Sequence, residues 1–579
     1  MRVTPFRVLL AALIVTVLGY GEAPAQIPIP RPIDPTGRSG EAPPPLEKEL
    51  KEPTPAPKLV LPPVPALPKE QGEIPPVQVF VREIQVKGST VFPADEIAQV
   101  TDRYKNRQLT TEDLERLRTE LTLLYVNKGY VNSGAILPDQ AVSDGIVTYQ
   151  IIEGQLTNID LEGNRWFRSN YLTKRISLGA GTPFNINDLQ ERLRLLLEDQ
   201  RIGRINAQLK PGLRLGEAVL DVHVEDTLPY KLWWEFDNYQ SPSVGAERGL
   251  ITFEHQNLTG NGDVARAQYG ASQGLNPLLD IKYSFPVNAY DTTLSLQYRK
   301  NTFAVVEQPF QQADMKSYSD IYTLGVRQPV YRTLNSDLAV ELVGERLSHE
   351  TYIGGERFTL SPGAHNGRSI VTALRPTLEY IYRSQSQVVA ARSRFSFGVD
   401  ALDATINSGN VPDSKFFAWL GEFQWVRQLG ILNAYAIFRS DIQLANDPLI
   451  DLEQVAIGGR YSVRGYRENT LLRDNAVITS LEGRLPLILN MPWADYLELA
   501  PFFDYGRGWN TKGPTDGPRY LASVGVGLRW GVTLRTTPIP LRPEFEVYWG
   551  HPLKPRPSTQ DKNALQDNGV HLQFVLGIF

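Results

Sequence analysis

The sequence predicts a membrane β-barrel of about sixteen antiparallel strands, preceded by two copies of a small α+β module. Three observations carry this. Segments of apolar–polar alternation fill the chain from Lys231 to Phe579, the period of a strand with one apolar and one polar face. Ahead of them a pattern of strand, glycine and helix occurs twice at an offset of 75 residues. The chain also opens with an export signal.

Residues 1–25 read as a secretory signal peptide. Arg2 and Arg7 give the positive start, Val8 to Tyr20 the apolar run, and Ala23-Pro24-Ala25 the small-residue cleavage site. The apolar run is short of the roughly 20 residues a spanning helix needs. No later stretch approaches that length, so a membrane role has to use strands. The 579-residue chain has room for several domains, and its net charge of −5 disfavours a nucleic-acid partner. It has no cysteine, hence no disulfide framework and no thiolate metal site. The 42% hydrophobic share suits a barrel, whose strands are only half apolar.

Residues 26–77 read as a linker. Ile27 to Pro76 contains 16 prolines, so it is expected to be extended and mobile rather than packed. Only Leu46 to Glu52 is free of proline for long enough to make two helical turns.

The two modules span 78–154 and 155–228. Ile84-Gln85-Val86-Lys87-Gly88 matches Ile159-Asp160-Leu161-Glu162-Gly163, and Phe92, Ile97 and Asp113-Leu114 match Phe167, Leu172 and Asp188-Leu189. A helix is predicted over Thr110 to Val126, with Thr110 as N-cap and Leu114, Leu117, Leu121 and Leu124 on one face. Its counterpart is Asn187 to Leu197. Each copy closes on a strand ending in glutamate, Val147 to Glu153 and Val219 to Glu225. This order gives a mixed three-stranded sheet.

The barrel is expected over 229–579, with short turns such as Asn257 to Asp263 and long loops such as Glu350 to Arg368. Tyr and Trp recur at strand ends, where an interfacial girdle places them. A soluble sandwich also alternates. The strand number without a repeat, the signal peptide and the asymmetry of the connections favour an outer-membrane β-barrel. In the last segment, Val570 to Phe579, the apolar parity differs from that of Phe579 and leaves its register open.

One stretch does not fit a barrel wall. Ala456-Ile457-Gly458-Gly459-Arg460 leads into Val463-Arg464-Gly465-Tyr466, too glycine-rich and charged to face lipid. About forty residues on lies Phe502-Phe503-Asp504-Tyr505-Gly506. By parity Leu499, Pro501, Phe503 and Tyr505 face lipid, so Glu498, Phe502, Asp504 and Gly506 face the lumen. An arginine can offer a carboxylate a bidentate fork, and Gly465 lets the loop come close to the wall. The expectation is that Arg464 and Asp504 tie a loop inside the pore.

In Val463-Arg464-Gly465-Tyr466, Phe502-x-Asp504-x-Gly506 and the tandem modules, the chain resembles a two-partner secretion transporter. These are the outer-membrane pores of the POTRA-bearing superfamily that export filamentous haemagglutinins and haemolysins. Further matches are Gly129-Tyr130-Val131-Asn132-Ser133-Gly134-Ala135-x-Leu137-Pro138-Asp139-Gln140 and Asn257-Leu258-x-Gly260-x-Gly262-Asp263. The resemblance implies periplasmic POTRA domains that capture a large unfolded exoprotein by β-augmentation. The candidate edge is Val131, Asn132, Ser133, Gly134, Ala135, Ile136 and Leu137. Outer-membrane lipid and periplasmic chaperones are further partner classes. Members can carry an N-terminal plug helix, for which only Leu46 to Glu52 is available here. No catalytic residue, metal site or cofactor is expected. The six histidines lack ligand spacing, and Gly270-Ala271-Ser272-Gln273-Gly274 leads into another strand rather than the helix a nucleophile elbow needs. The rivals are a barrel-assembly factor, usually with three or more modules, and a passive porin.

Overall fold

The computed structural model describes residues 58–60 and 78–579, apart from 143, 309, 514, 516, 536–539 and 557–563. The signal-peptide reading of 1–25 and the segment Leu46 to Glu52 lie outside the described residues. Within the proline-rich segment Lys58–Val60 is a strand, β1.

The first module contains β2 (Gln78–Val81), β3 (Glu83–Lys87), helix α1 (Ala94–Thr101) and β4 (Arg107–Thr110). It continues with α2 (Thr111–Asn127), β5 (Gly134–Ile136) and β6 (Ile146–Ile152). Its sheet runs β3-β6-β5, with β3 parallel and β5 antiparallel to β6. Helix α2 starts where its capping box dictates. The Asp113 amide donates to Thr110 Oγ1 (3.1 Å) and the Thr110 amide to Asp113 Oδ2 (3.0 Å). Leu117 and Leu121 are buried against the sheet; Leu114 and Leu124 flank them.

The second module repeats the plan with β7 (Gln155–Glu162), α3 (Ser169–Ile176), α4 (Ile186–Leu197), β8 (Ile202–Pro211) and β9 (Glu217–Asp226). Its sheet has the order β1-β8-β9-β7. The linker reading is corrected at one point: β1 pairs in parallel with Asn206–Gln208 of β8, so it takes the edge of this sheet.

Duplication extends to one polar device. After the matched glycines, Gly88 and Gly163, the turn exposes backbone amides. In the first copy Glu153 accepts from the amides of Thr90 (2.6 Å) and Val91 (3.1 Å). In the second, Asp226 accepts from Arg165, Trp166 and Phe167 at 2.6 to 3.0 Å. The capping carboxylate of the second copy is therefore Asp226, at the end of a strand that runs one residue past the Glu225 where the sequence ended it. Burial raises the pKa of Glu153, but the hydrogen bonds from Thr90, Val91 and Tyr125 outweigh it and hold the carboxyl below its usual value.

The barrel closes from sixteen antiparallel strands in sequence order, Tyr230–Asp237 meeting Val570–Ile578. Apolar side chains face outward: Leu481, Phe503, Val524 and Trp549 are exposed on neighbouring strands, as a lipid-facing band requires. The last strand resolves its own parity. His571 and Gln573 point inward, Leu572 and Phe574 outward. Phe579 lies over Gly577 and meets the Trp233 ring at 5.9 Å.

The second module is bolted to the barrel rim. Arg201 Nη1 donates to the carbonyls of Gln256 (3.0 Å) and Gly262 (2.7 Å) in the first turn. Arg175 forms an ion pair with Asp291 (2.6 Å) in the second. Gly262 has φ +75°, and a Cβ there would lie 2.3 Å from the Tyr171 hydroxyl, so that turn needs glycine at its contact with the module.

A lumen loop tied to the inner wall

The strand Tyr435–Ala445 does not turn directly into Asn475–Met491. The connection folds into the barrel as a small hairpin, Val455–Ile457 paired with Leu471–Arg473, and its tip carries Val463 to Tyr466. Val463, Tyr466, Ile457 and Leu471 bury together with Ile478 and Leu521 of the wall. The loop is thus anchored by apolar burial as well as charge.

Arg464 is 2% exposed and meets two carboxylates. Its Nε and Nη2 grip Asp504 at 2.7 and 2.8 Å, and its own amide donates to Asp504 Oδ2 at 3.0 Å. Nη1 pairs with Glu482, and Nη2 also reaches Ser480 Oγ at 3.1 Å. The Phe502 ring lies 3.6 Å beneath the guanidinium, which adds a cation–π contact. Arg484 holds the other oxygen of Glu482 at 2.9 Å, so two cations meet two anions and the cluster is neutral. That balance lets four charges stay together out of water.

The glycines make the close approach possible. Gly465 has φ +89°, and a Cβ there would sit 2.7 Å from the Gly550 carbonyl. A Cβ on Gly506 would lie 2.5 Å from Ile457 and 2.9 Å from Val463. Next to it, Tyr466 donates to the carbonyls of Ala522 (3.1 Å) and Lys554 (3.0 Å). Arg460 and Arg467 extend the grip, to Glu546 (3.0 Å) and to Asp567 and Glu307.

All seven expected loop and wall residues meet here: Val463, Arg464, Gly465, Tyr466, Phe502, Asp504 and Gly506. Sequence reasoning missed Glu482, Ser480, Gly550 and Tyr548, whose hydroxyl donates to Glu482 Oε1 at 3.3 Å. The signal for two of them was available, because Ser480, Glu482 and Arg484 alternate with Leu481 and Gly483 in one wall strand. Gly550 gave none, since its partner is 85 residues away in sequence.

The expected capture edge divides. Gly134–Ile136 is the outermost strand of its sheet, β5. Val131, Asn132 and Ser133 precede it in a turn and are corrected to the junction between modules. Asn132 Nδ2 donates to the carbonyls of Gln155 (3.2 Å) and Gly216 (2.8 Å), and Ser133 Oγ accepts from the Gly154 amide (2.8 Å). Val131 packs on the core of the second module. Leu137 follows β5 and packs against the first. Among the described residues no cluster of His, Cys, Asp and Glu could hold a metal ion.

Sixteen closed strands, two modules at the rim and an arginine-tipped loop bound to the inner wall define a POTRA-bearing outer-membrane transporter. Comparison with known proteins gives the family. Residues 216–530 match the haemolysin secretion/activation protein family ShlB/FhaC/HecB, and residues 79–154 match the ShlB-type POTRA domain. The chain belongs to that family. It is similar to the outer membrane transporter CdiB of Dickeya dadantii, 25% identical over 67% of this chain and 69% of the relative. It is also similar to the heme/hemopexin transporter protein HuxB of Haemophilus influenzae, 24% identical over 75% of this chain and 77% of that one. Among solved structures, CdiB from Escherichia coli superposes with a TM-score of 0.62 at 19% identity, covering 89% of this chain and 93% of that one. CdiB from Acinetobacter baumannii gives 0.58 at 16%, covering 92% and 95%. The chain is an outer-membrane pore of two-partner secretion, with its POTRA modules in the periplasm.

Proposed function

We propose that the modules capture an unfolded exoprotein on the open edge of β5 and hand it to the pore, while the Arg464 loop sets whether the lumen is passable. The observation that supports this is the loop's dual attachment: a hairpin inside the barrel, fixed to one wall by Arg464 and Asp504. The wall beyond it carries paired charges, such as Arg327–Glu379 (3.0 Å) and Arg392–Glu422 (3.2 Å), and offers a passing chain hydrogen bonds without a net field. Main-chain pairing on β5 suits a cargo of varied sequence, and a photo-crosslinker at Ile136 tests it. Outer-membrane lipid surrounds the exposed apolar band, and periplasmic chaperones deliver the cargo to the modules. The chain catalyses no reaction; folding of the cargo outside drives export.

The deciding experiment is proteomics on a deletion strain. Loss of one or two very large proteins from the supernatant, with other barrels at normal levels, supports the secretion reading and names the cargo. A joint fall of many outer-membrane barrels overturns it in favour of an assembly factor, a reading the family match does not favour.

A further inference from the structure

The outer wall behind the lock carries basic side chains whose charges the loop does not use. In the strand Ala494–Trp509 the outward positions run Asp495, Leu497, Leu499, Pro501, Phe503, Tyr505, Arg507. A tilted strand climbs about 2.5 Å of barrel height per residue. The apolar stretch between Asp495 and Arg507 therefore spans the roughly 25 Å of the lipid-facing band. Tyr505 falls at the outer girdle and Arg507 one pleat beyond it, at headgroup level.

Arg507 does not stand alone there. Its register partner is Tyr520, which stacks on Tyr505 with ring centroids 5.8 Å apart. Lys554 places its ammonium 4.1 Å from the centroid of the same Tyr520 ring. Among the described residues no carboxylate pairs with Arg507 or Lys554. The rim cations of the opposite wall are matched: Lys300 lies opposite Asp320, Lys316 meets Asp314 at 2.9 Å, and Arg368 meets Glu350 at 3.3 Å. An uncompensated cluster at headgroup height attracts a phosphate, and the tyrosines pack against the sugar and chain it carries.

We propose that Arg507 and Lys554 around Tyr520 bind the phosphorylated glycolipid of the outer leaflet through its headgroup phosphates. The inference rests on the outer-membrane location but not on the capture or loop readings. The same segment meets the lock from inside: the Lys554 amide donates to the Tyr466 hydroxyl (3.2 Å), which in turn donates to the Lys554 and Ala522 carbonyls. A bound headgroup thus steadies the ledge on which the loop tip rests.

The test is native mass spectrometry of the full-length protein in detergent, titrated with bisphosphorylated lipid A or with the same lipid after enzymatic dephosphorylation. Wild type is expected to retain the bisphosphorylated form, and Arg507→Gln with Lys554→Gln to weaken it roughly 30-fold. That is about 1.4 kcal/mol per decade spread over two charges, in line with about 1 kcal/mol for each. Lys300→Gln on the far wall should leave binding unchanged. Equal retention by the double variant, equal retention of the dephosphorylated lipid, or full competition by millimolar inorganic phosphate would each overturn the proposal. Heat-modified mobility on a gel checks that the double variant is folded; if it is not, the two lipids on wild type decide.

Discussion

Arg464→Ala is the perturbation that tests the loop most directly. It removes three bonds to or beside Asp504, the ion pair to Glu482 and the cation over Phe502, and leaves Asp504 buried without its cation, while Glu482 keeps only Arg484. Breaking a buried pair by deleting one partner costs about 3–5 kcal/mol. At about 1.4 kcal/mol per decade the seated loop loses two to three and a half decades of occupancy. The barrel itself should stay closed, because none of its strand ladders uses Arg464. The chain has no cysteine, so a single Val463→Cys gives a clean reporter: Val463 is 0% exposed and accepts a maleimide only when the loop leaves the wall. The expected result is fast labelling with Arg464→Ala, slow labelling without it, reduced export, and unchanged heat-modified mobility. Slow labelling together with normal export in the variant would refute the reasoning.

Other perturbations read other parts of the structure. Gly465→Ala forces a left-handed backbone and a 2.7 Å approach to the Gly550 carbonyl, at a cost of about 1–3 kcal/mol, so it should raise labelling at Val463→Cys in the same assay. The charge swap Arg464→Asp with Asp504→Arg should restore export only in part, since the new aspartate would face Glu482; full rescue would show that Glu482 plays no part. Arg175→Ala should loosen the second module from the rim, seen as faster protease cleavage near Thr182 to Asn187 with export reduced. Glu153 is held below its usual pKa, so its contribution is present above the unfolded value near pH 4.3 and is lost as pH falls through the folded one. Thermal melts of wild type and Glu153→Gln should therefore converge below that pH and differ above it.

The sequence by itself determined the period of each strand, the duplication of the module and the parity of Asp504, because these follow from local alternation and spacing. Thr110 and Asp113 start α2 through bonds three residues apart, and such bonds are legible in a row of letters. Only the tertiary structure decided the rest. Glu482 joins Arg464 because two wall strands are neighbours, and Gly550 faces Gly465 because the loop crosses the lumen. Val131 to Ser133 were expected to begin the capture edge, yet the second module claims them, and a contact between modules has no period. The strand at Lys58–Val60 was hidden for the same reason: prolines on either side predict extension, and what an extended segment pairs with depends on which sheet edge lies beside it.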